Sequence, residues 1–247
     1  MGLVQATLGG TDRPVTSDML FDMASVTKPF VATAIMQLVE RGKIDLDAPV
    51  TKYLRYFRLA DPRYTSITIR QMVTHTSGMP DLTDAELSNM PKDDDDGALE
   101  RSVRSLKGKK LLWAPGAHFA YSNFAFDVLG DVIAKVSGMT FEDYVEQKIL
   151  KPVGMVSSTP LLKDADANKL ASGYTKKKST DAVAAELVAV PYPYSRSYGP
   201  SGDPGFSALF VMVPARKFAF MLMANSDSPA AIRFLKQVQA EALKFAK

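Results

Sequence analysis

The sequence predicts an α/β protein in which a small antiparallel sheet is flanked by helices. Two apolar runs of strand length, residues 206–213 and 218–225, are joined by a short segment that begins at Pro214, which is typical of a β-hairpin. Residues 28–41 and 232–245 carry apolar side chains at helical spacing. The composition, 46% hydrophobic and 23% charged over 247 residues, is that of an ordinary globular protein with a sizeable core.

Four helices are predicted ahead of the hairpin, each with a start or stop signal. The first, residues 28–41, ends at Gly42, and the second, residues 68–74, ends at the Ser77-Gly78 turn. The third, residues 123–137, is capped by Ser122 or Asn123 and ends at Gly138, and the fourth, residues 141–151, begins after Thr140 and ends before Pro152. Residues 81–110 are a polar stretch with a solvated acidic loop. Residues 174–205 are predicted to be a long, partly ordered loop because prolines and glycines interrupt them. A hairpin alone is marginal, so residues 3–8 are predicted to add a strand.

The composition excludes several classes of function. The net charge of +3 is small and scattered, so no nucleic-acid partner is expected. The sequence has no cysteine and two histidines, which excludes disulfides, thiol catalysis and a three-histidine metal site. No apolar run is long enough to span a membrane, and residues 1–10 lack the features of a secretion signal. The expected location is therefore cytoplasmic, or periplasmic or secreted after processing.

Ser25 and Lys28 form the first candidate catalytic pair. They are three residues apart at the start of a predicted helix, so their side chains share one face. A serine hydroxyl attacks a carbonyl only when a base takes its proton, and a desolvated lysine can be that base. The helix start also offers backbone N–H groups to an oxyanion. The same spacing also fits a capping serine beside a surface lysine, and that alternative stays open at this point.

Tyr121 and Asn123 form the second candidate pair, at the start of another predicted helix. A phenol near a lysine ammonium can share its proton and return it to a leaving group. The amide of Asn123 can orient both the lysine and a substrate carbonyl. A plain helix cap after the turn at Pro115-Gly116 is the alternative.

Several phrases, in order, resemble the serine β-lactamase-like superfamily. They are MASVTKPF at 23–30, QLVERGK at 37–43, LDAPV at 46–50, MVTHTSGMP at 72–80, WAPG at 113–116, FAYSN at 119–123 and GDPGF at 202–206. The resemblance is nearest to the branch that holds class C β-lactamases, D-alanyl-D-alanine carboxypeptidases and family VIII esterases. It implies a two-lobed β-lactamase/penicillin-binding-protein-like fold, an antiparallel sheet flanked by helices plus a helical lobe.

The resemblance also implies a role for each candidate residue. Ser25 would be the acylated nucleophile and would supply one N–H of the oxyanion hole, Lys28 its base, Tyr121 the acid/base partner and Asn123 a positioning group. No cofactor or metal is implied, and His75 and His118 are expected to be structural.

The third family motif and the spacing around it depart from the family pattern. The nearest candidate for that motif, Ser201 and Gly202 after Pro200, carries no cation, which favours neutral esters over β-lactams or D-Ala-D-Ala peptides. The chain resembles a form shortened at the N-terminus and before this motif, so both lobes are expected to be reduced. We expect one catalytic domain over 1–247, with 1–60 and 190–247 as the α/β lobe and 61–189 as the mainly helical lobe. Exposed sheet edges predict either a homodimer or a minimal fold with an open cleft.

The leading hypothesis is a serine hydrolase that cleaves esters, with short acyl chains favoured, through an acyl-enzyme. A β-lactamase or D-alanyl-D-alanine carboxypeptidase is the first alternative. A catalytically impaired relative that acts as a binding or assembly protein is the second. The predicted partner is a small-molecule ester, amide or β-lactam substrate.

Overall fold

A computed structural model gives the architecture of most of the chain. The residues it describes are 16, 18–83, 85–86, 89, 91–176, 187–190, 194–200, 207–213, 218–224 and 229–244. The chain divides into two compact units. The sheet unit comprises Met1–Val26, Lys163–Pro193 and Asp203–Lys247, and the helical unit comprises Thr27–Leu162 and Tyr194–Gly202. The division into lobes at residues 60 and 190 stays a prediction.

The described residues form six α-helices. They are α1 (Thr27–Glu40), α2 (Ile69–Val73), α3 (Ala98–Ser105), α4 (Asn123–Ser137), α5 (Phe141–Val145), which continues as a π-helical turn over Glu146–Leu150, and α6 (Pro229–Lys244). The predicted helices are confirmed at these bounds. Helix α3 is an addition inside the polar stretch at 81–110, where Leu99 and Val103 supply the buried positions of one face.

Helix α4 is the centre of the helical unit, where α1, α2, α3 and α5 all pack against it. Every residue from 124 to 133 is buried. The Ser122 hydroxyl caps α4 by accepting the N–H of Ala125 at 3.2 Å, and Gly138 ends it with a φ of +74°. Because α4 is held on several sides, its N-terminal residues Asn123 and Ser122 have fixed positions.

The sheet unit contains two antiparallel pairs of strands among the described residues. Strands β3 (Ser207–Val213) and β4 (Phe218–Ala224) form the predicted hairpin, and α6 packs against both. Strands β1 (Gly173–Lys176) and β2 (Leu187–Val190) pair inside residues 174–205, so the prediction of a loop there is wrong for these two segments. Prolines and glycines near these segments obscured the β-branched residues that favour strands. Hydrogen bonds between β1 and β2 stabilise the pair. The strand predicted at residues 3–8 lies outside the described residues.

Residues 194–200 are a further ordered part of the predicted loop. The guanidinium of Arg196 donates to both carboxylate oxygens of Glu142, at 2.9 and 3.1 Å, and to Asp96 at 2.7 Å. Both Arg196 and Glu142 are buried. A buried charge needs such a partner, and this pair fixes the segment against α5.

Candidate active site

Ser25 lies in a single 3₁₀ turn, Ala24–Val26, directly before α1. Ala24 has a φ of +45°, in the left-handed region that residues other than glycine rarely adopt. Its N–H donates to Asp22 Oδ1 at 2.6 Å, and burial raises the pKa of the Asp22 carboxyl to about 6. Ser25 is exposed. A strained backbone conformation persists only where surrounding contacts hold it, and such conformations are concentrated at functional sites.

A cavity of about 320 Å³ adjoins Ser25 within the sheet unit. It is lined by Ala24, Ser25, Ala208 and Leu209 of β3, and Ile232, Leu235 and Lys236 of α6. Five of these side chains are aliphatic hydrocarbons and one is a cation at an exposed position. A cavity of this composition fits an apolar group of a ligand.

Lys28 is buried in the first turn of α1, with only 6% of its surface exposed. Its Nζ donates to Asn123 Oδ1 at 2.7 Å. The same nitrogen lies 4.8 Å from the ring centroid of Tyr121 and 5.5 Å from that of Phe126. The amine is therefore held by a neutral amide oxygen and two aromatic faces.

The environment of Lys28 lowers its pKa from 10.5 to about 8. Burial is the larger cause, because an ammonium loses its hydration. The carboxylates of Asp127 and Asp81 oppose this effect and favour the charged form. A lysine with this pKa has a substantial neutral fraction near neutral pH, so it can take a proton.

The segment that carries Tyr121 and Asn123 is fixed by the loop after α2. The Asn123 N–H donates to Asp81 Oδ1 at 2.8 Å, and the Ser122 hydroxyl donates to the carbonyl of Pro80 at 2.7 Å. The Tyr121 ring is 38% exposed and stacks on His75 at 4.5 Å between centroids. The structure thus brings Lys28, Tyr121 and Asn123 together.

Sequence reasoning missed the contribution of His75 and Asp81 to this arrangement. Both lie in the loop that follows α2, and both contact the Tyr121–Asn123 segment. His75 stands inside the phrase MVTHTSGMP that carries part of the resemblance, which was the available signal. His118 is exposed and contacts Trp113 instead.

The remaining predictions concern the third motif, metal binding, membrane spans and dimerisation. Ser201 and Gly202 lie outside the described residues. Within the described ranges, no group of three or more His, Cys, Asp or Glu side chains is arranged to hold a metal ion. No helix in that part of the chain is long and apolar enough to cross a membrane. Dimerisation through sheet edges stays a prediction.

Comparison with known proteins identifies the family. The sequence profile of the Beta-lactamase family matches residues 3–195. Esterase EstB of Burkholderia gladioli is 39% identical over 153 residues, which are 58% of this chain and 39% of that protein. The chain therefore spans well under half the length of this relative.

Solved structures of the same fold are also similar to the chain. A penicillin-binding protein from Bacillus halodurans has a TM-score of 0.59 and 31% identity, over 71% of this chain and 53% of its own. EstCE1, described as a hydrolase with promiscuous acyltransferase activity, has a TM-score of 0.61 and 26% identity, over 74% of this chain and 48% of its own. The chain belongs to the Beta-lactamase family and has the β-lactamase/penicillin-binding-protein fold.

Proposed function

We propose that this chain is a serine hydrolase that cleaves carboxylic esters, with short acyl chains preferred, through an acyl-enzyme on Ser25. The observation that carries the proposal is the buried amine of Lys28, bonded to Asn123 and placed over the ring of Tyr121. A capping serine beside a surface lysine does not require a buried amine. Ser25 precedes Lys28 by three residues, so the two are assigned as nucleophile and base.

In the acylation step the hydroxyl proton of Ser25 passes to the neutral Nζ of Lys28. The Oγ forms a bond to the ester carbonyl carbon, and the carbonyl oxygen becomes an oxyanion that accepts the N–H of Ser25. The bond to the alcohol oxygen then breaks, and that oxygen takes a proton from the Tyr121 hydroxyl, which Lys28 reprotonates. The net products are a neutral alcohol and the acylated serine.

In the deacylation step a water molecule attacks the acyl carbon. The neutral Nζ of Lys28 accepts the proton of this water, directly or through the Tyr121 hydroxyl, which passes its own proton to Nζ as it receives one. The ammonium of Lys28 then returns a proton to Ser25 Oγ by the same route as the acyl bond breaks. The carboxylic acid leaves and the original protonation state is restored. Asn123 keeps the amine in place through both steps because its Oδ1 accepts from Nζ in the charged and the neutral state.

Three observations support an ester substrate with a small apolar acyl group. The cavity beside Ser25 is lined mainly by aliphatic side chains, which suit a hydrocarbon group. The relative EstB is named an esterase. The candidate third motif in the sequence carries no cation to bind a substrate carboxylate.

Covalent labelling tests the proposal. The intact mass is measured after separate incubation with p-nitrophenyl butyrate, a penicillin and a fluorophosphonate. We expect an adduct from the ester and the fluorophosphonate in the wild type and in Ser66→Ala, an exposed-serine control, and none in Ser25→Ala. An adduct from the penicillin alone would favour a β-lactamase or carboxypeptidase. No adduct from any reagent would favour a binding or assembly protein and refute the proposal.

A further inference from the structure

His75 makes three separate contacts with the segment that leads into α4. Its Nδ1 accepts the N–H of Ser122 at 3.2 Å. Its ring stacks on the Tyr121 ring, with 4.5 Å between centroids and 26° between planes. Its backbone carbonyl accepts the N–H of Ala120 at 2.8 Å. The residues on both sides of Tyr121 are thus bonded to this one histidine.

The backbone of His75 is itself held in an unusual conformation. Its φ is +56°, in the left-handed region, where histidine and asparagine are enriched among residues other than glycine. Its N–H donates to the carbonyl of Met72 at 3.1 Å, at the end of α2. This conformation therefore continues a turn that is anchored to the helix.

The bond from Ser122 requires a particular form of the imidazole. A nitrogen that accepts a hydrogen bond carries no proton, so His75 is the neutral tautomer with its proton on Nε2. Burial and the positive charge of Lys28 both lower the pKa of His75 below 6.5, and the negative charge of Asp81 opposes them. The phenol of Tyr121 is the other titratable group that faces the ring.

We propose that His75, as the neutral Nε2–H tautomer, is a positioning residue that holds Tyr121 for proton transfer with Lys28. This inference rests on the proposed function, because it assigns His75 a part in the same reaction. Protonation of Nδ1 removes the acceptor of the Ser122 N–H and places two donors face to face. The residue that follows Tyr121 then loses its bond to the imidazole, although the bonds of Asn123 to Asp81 and of Ala120 to the His75 carbonyl remain, and Lys28 keeps its bond to Asn123.

The pH dependence of kcat/KM is the first consequence. Below a pH of about 8, loss of the neutral form of Lys28 lowers log kcat/KM with a slope of one. Below the pKa of His75, loss of its neutral form adds a further fall of about tenfold, so the profile is steeper than a slope of one through that pH range and returns to it at lower pH. A purely structural histidine that stays neutral would leave the slope at one.

Two substitutions separate the acceptor from the backbone conformation. His75→Asn and His75→Gly both tolerate a positive φ, but only asparagine supplies an acceptor near the place of Nδ1. We expect His75→Gly to lower kcat about tenfold with little change in KM, as a displaced catalytic group does. His75→Asn is expected to recover most of that loss and to keep a slope of one at all acidic pH values. His118→Asn, in the only other histidine, is the matched control and should behave as the wild type.

NMR tests the geometry independently of activity. In protein labelled with nitrogen-15, the two imidazole rings are assigned by their absence in His75→Asn and His118→Asn. We expect an unprotonated Nδ1 for His75 at neutral pH and a Ser122 amide signal that shifts as His75 titrates. Thermal unfolding of each variant establishes that it is folded before its kinetics are compared.

The outcomes distinguish this inference from the proposed function. If wild-type protein forms no adduct with fluorophosphonate, the proposed function fails, and the NMR titration still decides whether His75 anchors Ser122. If labelling succeeds, a His75→Gly kcat equal to the wild type would overturn the positioning role. The same conclusion would follow if His75→Asn were as slow as His75→Gly, or if Nδ1 were protonated at neutral pH.

Discussion

The buried amine of Lys28 leads to a quantitative prediction about reactivity and pH. Burial lowers the pKa of this amine from 10.5 to about 8. At about 1.36 kcal/mol for each tenfold change in proton affinity, the folded protein disfavours the ammonium by about 3 kcal/mol relative to water. The side chain is 6% exposed, so little solvent screening reduces this value. About one tenth of Lys28 is therefore neutral at pH 7, and about half at pH 8.

The rate at which a fluorophosphonate labels Ser25 should follow this neutral fraction. Between about pH 6.5 and 7.5 the second-order rate constant should rise about eightfold, and it should be nearly level above about pH 9. The assay is stopped-time intact mass spectrometry across this range at constant ionic strength. Lys28→Met should label at least about a hundredfold more slowly, with no inflection near pH 8. Lys43→Met, at an exposed lysine, should reproduce the wild-type curve.

Two results would refute this reasoning. A midpoint near 10.5 would mean that Lys28 is solvated like an ordinary lysine. Labelling of Lys28→Met at the wild-type rate would mean that another group takes the Ser25 proton. Either result removes the physical basis for assigning Lys28 as the base.

The same pKa shift makes stability depend on pH, with a definite sign. Between pH 8 and 10.5 the unfolded chain binds more protons at Lys28 than the folded chain does, so the free energy of unfolding rises with pH. Below pH 8 the burial of the ammonium lowers stability by its full amount. At pH 7 the free energy of unfolding of Lys28→Met should therefore exceed that of the wild type by about 2 kcal/mol, once the lost hydrogen bond is subtracted. The variant should accordingly unfold at a higher urea concentration.

Within the helical unit, two contacts that hold residues 194–200 against helices α4 and α5 give further predictions, both measured by urea unfolding. A Cβ at Gly130 would lie 2.2 Å from Pro200 Cγ, so Gly130→Ala should cost about 1–3 kcal/mol; an unchanged midpoint would contradict this packing. Arg196→Met leaves Glu142 buried without its partner and should cost about 3–5 kcal/mol, whereas adding Glu142→Leu should recover most of the loss. Equal stability of the single and double variants would contradict a buried ion pair.

Helix ends and the terminal hairpin could be predicted because their signals are local. Ser122 and Gly138 act within one turn of their own helix, through a hydroxyl cap and a left-handed residue. The hairpin of β3 and β4 follows from two apolar runs with a short connection. The pairing of β1 with β2 was missed because the ten residues between them and the flanking prolines gave no turn signal of fixed length.

The sequence predicted which residues form the candidate site, but not their burial or their hydrogen-bond partners. The motifs indicated Ser25, Lys28, Tyr121 and Asn123, and three of these meet in the helical unit. Nothing local to Lys28 shows that an amide 95 positions away accepts from its amine. The anchoring role of His75 was also invisible, because a histidine in a turn is consistent with many structures.

The family, the helix ends, the terminal hairpin and the types of group available for chemistry could all be predicted from the order of the amino acids. Helix ends and hairpins depend on residues that are adjacent in the chain, and the family is identified by motifs in a fixed order along the sequence. Three features became visible only in the folded chain: Lys28 is buried and weakly basic, His75 accepts from Ser122, and Arg196 pairs with Glu142. Desolvation and hydrogen-bond partners are set by groups far apart in the chain, so no local pattern contains them.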